Sequence, residues 1–191
     1  MKRSLMASLG LAFLLSATLP VQAQMRGRIV GRVVRPVHFH AGPGKAMITL
    51  NGKTVSVDYG RPSLHGMTIQ QMLAIQPATG IFWRLVGANQ STTFSTKAPL
   101  AFGDVTIPAG TYSLWTEHSG NDHWQLVFNK QHGQWGTEHN PKLDFAKVPL
   151  RKEKVDDSAD LVTIKLAKAG RGARFSTQWG DLMLVTHFTG K

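Results

Sequence analysis

The chain has 191 residues, a formal net charge of +11 at pH 7 and no cysteine. This length suits one domain beyond a targeting segment, and the lack of cysteine excludes disulfides, thiol nucleophiles and lipid attachment to a cysteine. An exported domain of this composition must be held together by its core alone.

The first 23 residues have the pattern of a cleavable secretory signal peptide. Cations stand near the start, residues 9–19 are apolar, and Ala23 ends a small-residue cleavage motif. Pro20 interrupts the apolar run before it reaches the ~20 residues that a membrane span requires. We therefore expect an exported protein, periplasmic or extracellular, with no transmembrane segment after the signal is cleaved.

A basic N-terminal arm is predicted over residues 24–45. It contains four arginines and ends in a G-P-G stretch at 42–44 that is typical of a turn or linker. The folded domain is then expected at 46–191. Because an exported chain meets cell-envelope material, the positive charge favours an anionic envelope component or glycan as partner and argues against nucleic acid.

Apolar and polar residues alternate through most of the predicted domain. The first two alternating runs flank Asn51-Gly52, a pair that tolerates the positive φ angles of a type I′ turn and therefore predicts a hairpin. Similar runs occur at 112–116, 124–128, 162–166 and 182–186. Many short strands predict an all-β fold, an antiparallel β-sandwich that is jelly-roll-like or related.

One short helix is predicted between Gly66 and Pro77. Thr68 and Gln71 have the spacing of a capping box, and the apolar residues that follow share one helical face. We expect this helix to cover one end of a sheet.

Common catalytic and metal-binding patterns do not occur in the sequence. It has no G-x-S-x-G elbow, no H-E-x-x-H and no phosphate loop. His38 and His40 form an H-x-H pair that could give two metal ligands, with His132 or His139 completing a site in space. Two ligands do not define a site, so we interpret the pair as surface histidines and assign no metal and no cofactor.

The five tryptophans allow a sugar-stacking groove. Alternation places Trp124 on an inward face with Leu126 and Phe128, which favours a core position. Trp115 falls on the opposite strand face, beside Ser113. It lines a ligand surface if that face is open and is buried if a second layer covers it, and we favour burial.

Six residues form the candidate site because they are polar groups in apolar strand context, or lie beside them. Charged groups in such surroundings need partners, so they either form a structural ion-pair network or anchor a ligand. The candidates are Asp58, Arg61, Arg84, Asn89, Trp115 and Glu117.

These residues also carry a family resemblance over about 46–166. The chain resembles the bacterial exported family known as domain of unknown function 2911, which implies an exported β-rich domain with no established activity. The resembling segments are V-D-Y-G-R-P-S at 57–63, W-R-L-V-G-A-N at 83–89 with the S-T-T-F that follows, I-P-A-G-T-Y-S-L-W at 107–115, W-Q-L-V-F-N at 124–129 and Q-W-G at 134–136.

Two stretches depart from the family pattern. Residues 66–72 replace a G-R-x-I-F-G-type stretch, and E-H-N-P at 138–141 replaces a Y-D-P-like turn. The second departure means that we assign His139 no shared functional role.

Two classes of function follow from these residues. We favour a non-catalytic envelope module, binding or structural, in which Arg61, Arg84 and Asn89 are polar anchors beside Trp115. The alternative is a hydrolase of a glycan or other envelope substrate that uses the carboxylates of Asp58 and Glu117. Two-carboxylate glycoside hydrolysis requires those groups to lie ~5–9.5 Å apart.

Overall fold

A computed structural model describes residues 41–75, 81–83, 90–120 and 122–191, and of 81–83 only the backbone. The predicted signal peptide, most of the predicted arm, and His38, His40, Arg84 and Asn89 lie outside the described residues. Contacts divide the chain into Met1–Val37 and His38–Lys191, and every described residue belongs to the second unit.

Strands dominate the described chain. In order, the elements are β1 Ala41–Leu50, β2 Lys53–Arg61, α1 Ile69–Ala74, β3 Ile81–Trp83, β4 Thr93–Thr96, β5 Leu100–Phe102, β6 Val105–Ile107, β7 Gly110–His118, β8 Trp124–Asn129, a 3₁₀ turn at Pro141–Leu143, β9 Asp144–Glu153, β10 Ala159–Ala169, β11 Gly172–Gly180 and β12 Leu182–Gly190. The prediction of an all-β chain with one short α-helix is confirmed.

The strands form one antiparallel sheet in the order β1-β2-β4-β7-β8-β9-β12-β11-β10, with β3 beside β7 and the β5–β6 hairpin on the end of β12. The chain after β2 hydrogen-bonds to the start of β10, where Val162 N donates to Pro62 O and Leu64 N donates to Asp160 O, both at 3.0 Å. The sheet therefore nearly closes into a barrel. The predicted sandwich is not confirmed, because the main strands follow one continuous hydrogen-bonded path.

The first hairpin confirms the Asn-Gly prediction. Asn51 and Gly52 have φ angles of 50° and 72°, and the strands on either side pair in register. Strand β1 starts at Ala41, so the sequence-predicted turn or linker at 42–44 is wrong: Gly44 pairs with Tyr59. Glycine suits this position because the Tyr59 ring occupies the space that a side chain would need.

Aromatic side chains fill the interior of the sheet. Phe128 contacts Phe94, Phe102 and Tyr112 at ring-centroid distances of 5.3, 5.4 and 6.2 Å. Trp124 belongs to the same core, as the alternation predicts. Side chains at the intervening positions point away from this core, and we call their side of the sheet the outer face.

Helix α1 packs one apolar face on the core. Its first residue Ile69 is buried, and Met72 and Leu73 pack partly against the core cluster. Both hydrogen bonds of the predicted capping box form between Thr68 and Gln71. Across the described ranges, no helix has the length and apolar character needed to cross a membrane.

Candidate functional site

Asp58 lies on the outer face of β2 in open solvent. Its side chain is 52% exposed and its Oδ1 lies 2.8 Å from Nζ of Lys45 on β1. An exposed cross-strand ion pair of this kind contributes little to stability and encloses no cavity. Asp58 is therefore a surface residue of the hairpin.

Arg61 has a structural contact at the seam where the sheet nearly closes. Its Nε donates to the carbonyl oxygen of Val162 on β10 at 3.3 Å. The Tyr59 hydroxyl donates to the Ile164 carbonyl at 3.2 Å, and Ser63 Oγ donates to Asp160 Oδ2 at 2.7 Å. These three side chains, on β2 or just after it, all bond to β10 or its start. They hold the sheet together at this seam, because the two end strands β1 and β10 do not pair with each other.

Trp115 lies on the outer face of β7 and is only 2% exposed. Its Nε1 donates to Ser113 Oγ at 2.9 Å, and its ring lies 4.7 Å from the ring of His139. Burial of Trp115 agrees with the interpretation that we favoured from the sequence. It is covered and is not an open stacking platform.

Glu117 lies two residues further along the same face. Its Oε2 is 2.6 Å from Nζ of Lys147 on β9, and most of the carboxylate is covered. The register runs from Asp58 through Thr93 to Ser113, and Glu117 lies four residues beyond Ser113. Two strand spacings of ~4.8 Å and four residue rises of ~3.4 Å therefore place the two Cα atoms roughly 17 Å apart. The side chains also turn away from each other, Asp58 toward Lys45 on β1 and Glu117 toward Lys147 on β9, so the carboxylates stay far apart. This separation exceeds the range for two-carboxylate hydrolysis.

The sequence-predicted cluster is only partly assembled among the described residues. Trp115 and Glu117 are neighbours on β7, whereas Asp58 and Arg61 belong to the hairpin and the seam. Arg84 and Asn89 lie outside the described residues. The assignment of these two as ligand anchors stays a prediction.

A buried polar cluster that the sequence did not single out covers the outer face of β7 and β8. Ser91 Oγ donates to Gln134 Oε1 at 3.2 Å, and Gln134 Nε2 donates to Ser113 Oγ at 3.2 Å. Ser113 Oγ also accepts from Trp115. Two donors occupy both lone pairs of this hydroxyl, so Ser113 is held as an acceptor and is not activated as a nucleophile.

Asn129, at the end of β8, holds the base of the loop formed by residues 130–143, which we call the Trp135 loop. Its Nδ2 donates to Asp144 Oδ1 at 2.7 Å and to the Asn140 carbonyl at 2.8 Å, while its Oδ1 accepts from Gln131 N at 2.8 Å. His139 Nε2 contacts the same Asp144 oxygen at 2.9 Å. The loop is therefore fixed at its base by buried polar groups.

Trp135 projects from this loop and is 51% exposed. Its backbone is held on three sides: it bridges to Gln90, Glu138 N donates to its carbonyl at 2.9 Å, and Ser91 N donates to the neighbouring Gln134 carbonyl at 3.0 Å. The sequence signal for the exposed Trp135 is the Q-W-G motif at 134–136. In the sequence this motif was interpreted only as part of the family pattern.

The His139–Asp144 pair has a geometry suited to holding the loop. Both side chains are about nine-tenths covered, and Asp144 Oδ1 accepts from Asn129 as well as from His139. In the part of the chain that the structure describes, no three His, Cys, Asp or Glu side chains group closely enough to hold a metal ion.

Comparison with known proteins identifies a family. A family model with the description "protein of unknown function (DUF2911)" matches residues 42–188. No curated protein matches the chain, and no solved structure matches it. The family match covers most of the chain and includes every strand of the described sheet, in agreement with the resemblance found in the motifs. The chain belongs to this family of unknown function.

Proposed function

We propose that the protein is an exported, non-catalytic module that binds a cell-envelope glycan through the surface around Trp135. Export rests on the pattern of residues 1–23 and is tested by N-terminal sequencing of the mature protein, which is expected to begin at Gln24. The binding role rests on the position of Trp135, whose side chain is 51% exposed.

The main support for glycan binding is that Trp135 is an exposed tryptophan on a fixed loop. Single exposed apolar residues are common and need no explanation, as with Met47 on β1. Trp135 differs because buried hydrogen bonds fix its loop on both sides, through Gln134 above β7 and through Asn129 at the loop base. A large aromatic surface that is already ordered loses little conformational entropy when it binds, which is why tryptophan is frequent at binding hot spots.

Carbohydrate suits this surface better than a wholly apolar ligand. One face of a sugar ring is apolar and packs on an aromatic ring, while its hydroxyl groups need polar partners at the edge. Exposed polar side chains flank Trp135 in the loop, among them His132, Thr137 and Glu138. They can hydrogen-bond to hydroxyls without being desolvated in an enclosed cavity.

The non-catalytic part of the proposal is supported by how the nearby polar groups are used. The Ser113 hydroxyl accepts two hydrogen bonds, Glu117 is paired with Lys147, and Asp144 holds Asn129 and His139. A nucleophile needs a free lone pair next to a base. Among these described groups, each is committed to a structural partner.

Isothermal calorimetry with soluble cell-wall glycan fragments tests the proposal, with Trp135→Ala as the test variant. Loss of a binding hot spot costs about 2 kcal/mol, so a roughly 30-fold loss of affinity is expected. Met47→Ala is the matched control because Met47 is similarly exposed, at 57%, on the distant β1. Its affinity is expected to equal that of the unaltered protein. Equal losses in the two variants, or no binding of any fragment, would contradict the proposal.

A further inference from the structure

A second surface of the sheet carries a concentration of cations. Register pairs Lys165 with Ser176, Ser176 with Val185, and Val185 with Arg151, so these four side chains form one row on the outer face. Arg174 belongs to the next row, opposite His187. We call the surface formed by Arg151, Lys165, Arg174 and His187, with Ser176 and Val185 between them, the basic face.

The middle of the basic face is a floor of short side chains. Ser176 and Val185 are each 2% exposed although they point away from the core. Long lysine and arginine stems characteristically lie along such surface and keep their charged ends in water. Ser176 and Val185 are therefore covered, and the charged ends stand around them, an arrangement that suits an extended anionic ligand.

Glu153 shows that this face already holds a carboxylate. Its two oxygens accept hydrogen bonds from Nη2 of Arg151 at 2.6 Å and Nη2 of Arg174 at 2.8 Å. The hydrogen bond from Arg151, followed by that from Arg174, holds the pKa of Glu153 below its ordinary value of 4.5. Each guanidinium has five N–H donors, so most donors of both arginines remain for a second anion.

The charge of the face stays positive after this pairing. Lys165 has no ion-pair partner within the described ranges, and one carboxylate from Glu153 stands against three permanent cations. The side chain of Arg151 is largely exposed, so it is accessible to a ligand in solution. Excess positive charge around a low floor attracts anions over a distance of about a Debye length.

A groove continues from the face where two strands separate. Strands β9 and β12 pair only from Glu153–Met183 to Arg151–Val185 and then diverge. The gap is a groove of about 440 Å³ lined in part by Pro149, Val185 and His187. Asp122 and Lys152 also line it, and their charges offset each other because they form an ion pair at 3.1 Å. Because Arg151 also lines the groove, a chain-like ligand lying in it would meet the guanidinium directly.

We propose that the basic face binds a carboxylate-bearing polysaccharide, with carboxylates on the free donors of Arg151, Lys165 and Arg174 and the sugar chain in the β9–β12 groove. Guanidinium groups pair with planar carboxylates through parallel hydrogen bonds, and each arginine gives Glu153 a single Nη2 hydrogen bond, which leaves its other donors for such a pair. The inference goes beyond the proposed function. It stands even if the surface around Trp135 binds nothing.

The test uses the full chain, isothermal calorimetry and polygalacturonate, a linear polysaccharide with one carboxylate on each sugar, with dextran as its neutral counterpart. Replacing Lys165 and Arg174 together by glutamine is expected to weaken polygalacturonate binding by at least about tenfold. The matched control replaces Lys53 and Lys97, exposed cations of β2 and the turn after β4, by glutamine. This control removes the same charge and is expected to leave the affinity within about twofold.

A third comparison uses the internal carboxylate as a competitor. Glu153→Gln releases both guanidiniums and is expected to strengthen polygalacturonate binding several-fold. Asp58→Asn is its control, since it also removes an exposed carboxylate that is paired with a cation but lies on β2. If the Arg174 variant unfolds, Lys165→Gln alone keeps the test valid, because that side chain has no ion pair within the described residues to lose.

The outcomes separate this inference from the proposed function. Polygalacturonate binding that falls with the Lys165 and Arg174 changes but not with Trp135→Ala supports the basic face by itself. The proposal is overturned if polygalacturonate does not bind, or if dextran binds equally well. It is also overturned if the two double variants lose affinity equally, or if Glu153→Gln binds polygalacturonate no more tightly than Asp58→Asn.

Discussion

Substituting Gly44 by alanine is expected to weaken the seam at which the sheet nearly closes. A Cβ at Gly44 would lie 2.6 Å from Cε2 and 2.8 Å from Cε1 of Tyr59. Carbon atoms not bonded to each other pack at ~3.5–4.0 Å, so the ring must move. Movement of the ring also puts at risk the 3.2 Å hydrogen bond from the Tyr59 hydroxyl to the Ile164 carbonyl on β10.

The magnitude follows from two terms that act together at Gly44. Overpacking of a core position costs about 1–3 kcal/mol, and loss of a buried hydrogen bond costs about 1 kcal/mol more. Alanine recovers about 0.5–1 kcal/mol because it restricts the unfolded chain. We expect a net destabilisation of about 1–3 kcal/mol, or roughly 3–10 °C in melting temperature for a domain of this size. Urea unfolding followed by circular dichroism measures it.

Gly42→Ala is the matched control, since it lies on the same strand and a Cβ there would meet nothing within 4 Å. Its stability is expected to rise by about 0.5–1 kcal/mol, because alanine restricts the unfolded chain there without meeting any obstacle. In a Tyr59→Leu background, which removes the obstructing ring atoms, Gly44→Ala is expected to cost much less than in the unaltered chain. Equal effects of the two glycine changes, or a cost unaffected by removing the ring, would refute the reasoning.

Two further predictions concern the polar groups of the outer face. Asn129→Ala should cost about 2–3 kcal/mol of folding stability and speed hydrogen exchange at the Gln131 amide, because its partners lose their hydrogen bonds. The control is Thr137→Ala, an exposed residue of the same loop, and equal exchange rates in the two variants would contradict this. For Glu153, the lowered folded-state pKa means that its stabilisation is present above about pH 4.5 and is lost as pH falls through the folded value. Urea unfolding should therefore show that the unaltered protein and Glu153→Gln differ less in free energy of unfolding below about pH 4.5 than above it. A difference that does not change with pH would contradict this prediction.

Local sequence patterns correctly predicted those turns and helix ends that are determined by residues close together in the chain. The Asn51-Gly52 turn and the capping box at Thr68 depend only on neighbouring residues, and both form as expected. Strand β9 is a contrary case. Its buried positions alternate at Val148 and Leu150, but Pro149 between them lacks an N–H for pairing and argues against a strand. The structure tolerates this proline since β9 pairs with β12 only from Arg151 onwards.

Closure of the sheet could not be predicted from the sequence. It depends on contacts between the end of β2 and β10, which are about one hundred residues apart in the chain. No local pattern marks a tyrosine or arginine as a partner of a distant backbone carbonyl. Arg61 therefore resembled a ligand anchor in the sequence, although its described contact holds the seam.

The sequence also did not show which polar residues of the candidate site lie close together. Sequence reasoning assumed that charged residues in apolar strands meet, but β4 separates β2 from β7, so Asp58 and Glu117 do not. Asn129 and Asp144, which do meet, are fifteen residues apart and look like ordinary loop-flanking residues. Only the pairing of β8 with β9 brings them together.

The filled interior is one reason why both binding surfaces are proposed on the outside of the sheet. A nearly closed sheet can hold a ligand inside if its interior side chains leave a cavity, as larger barrels do. Here Phe128 contacts aromatic neighbours on several sides, and the stacked pair of Phe102 and Phe188 occupies the adjoining space. We therefore propose both surfaces on the outer face, the Trp135 loop after β8 and the basic face across β9 to β12. The two surfaces offer different chemistry, an aromatic ring and a set of guanidiniums, so neutral and acidic glycans distinguish their contributions.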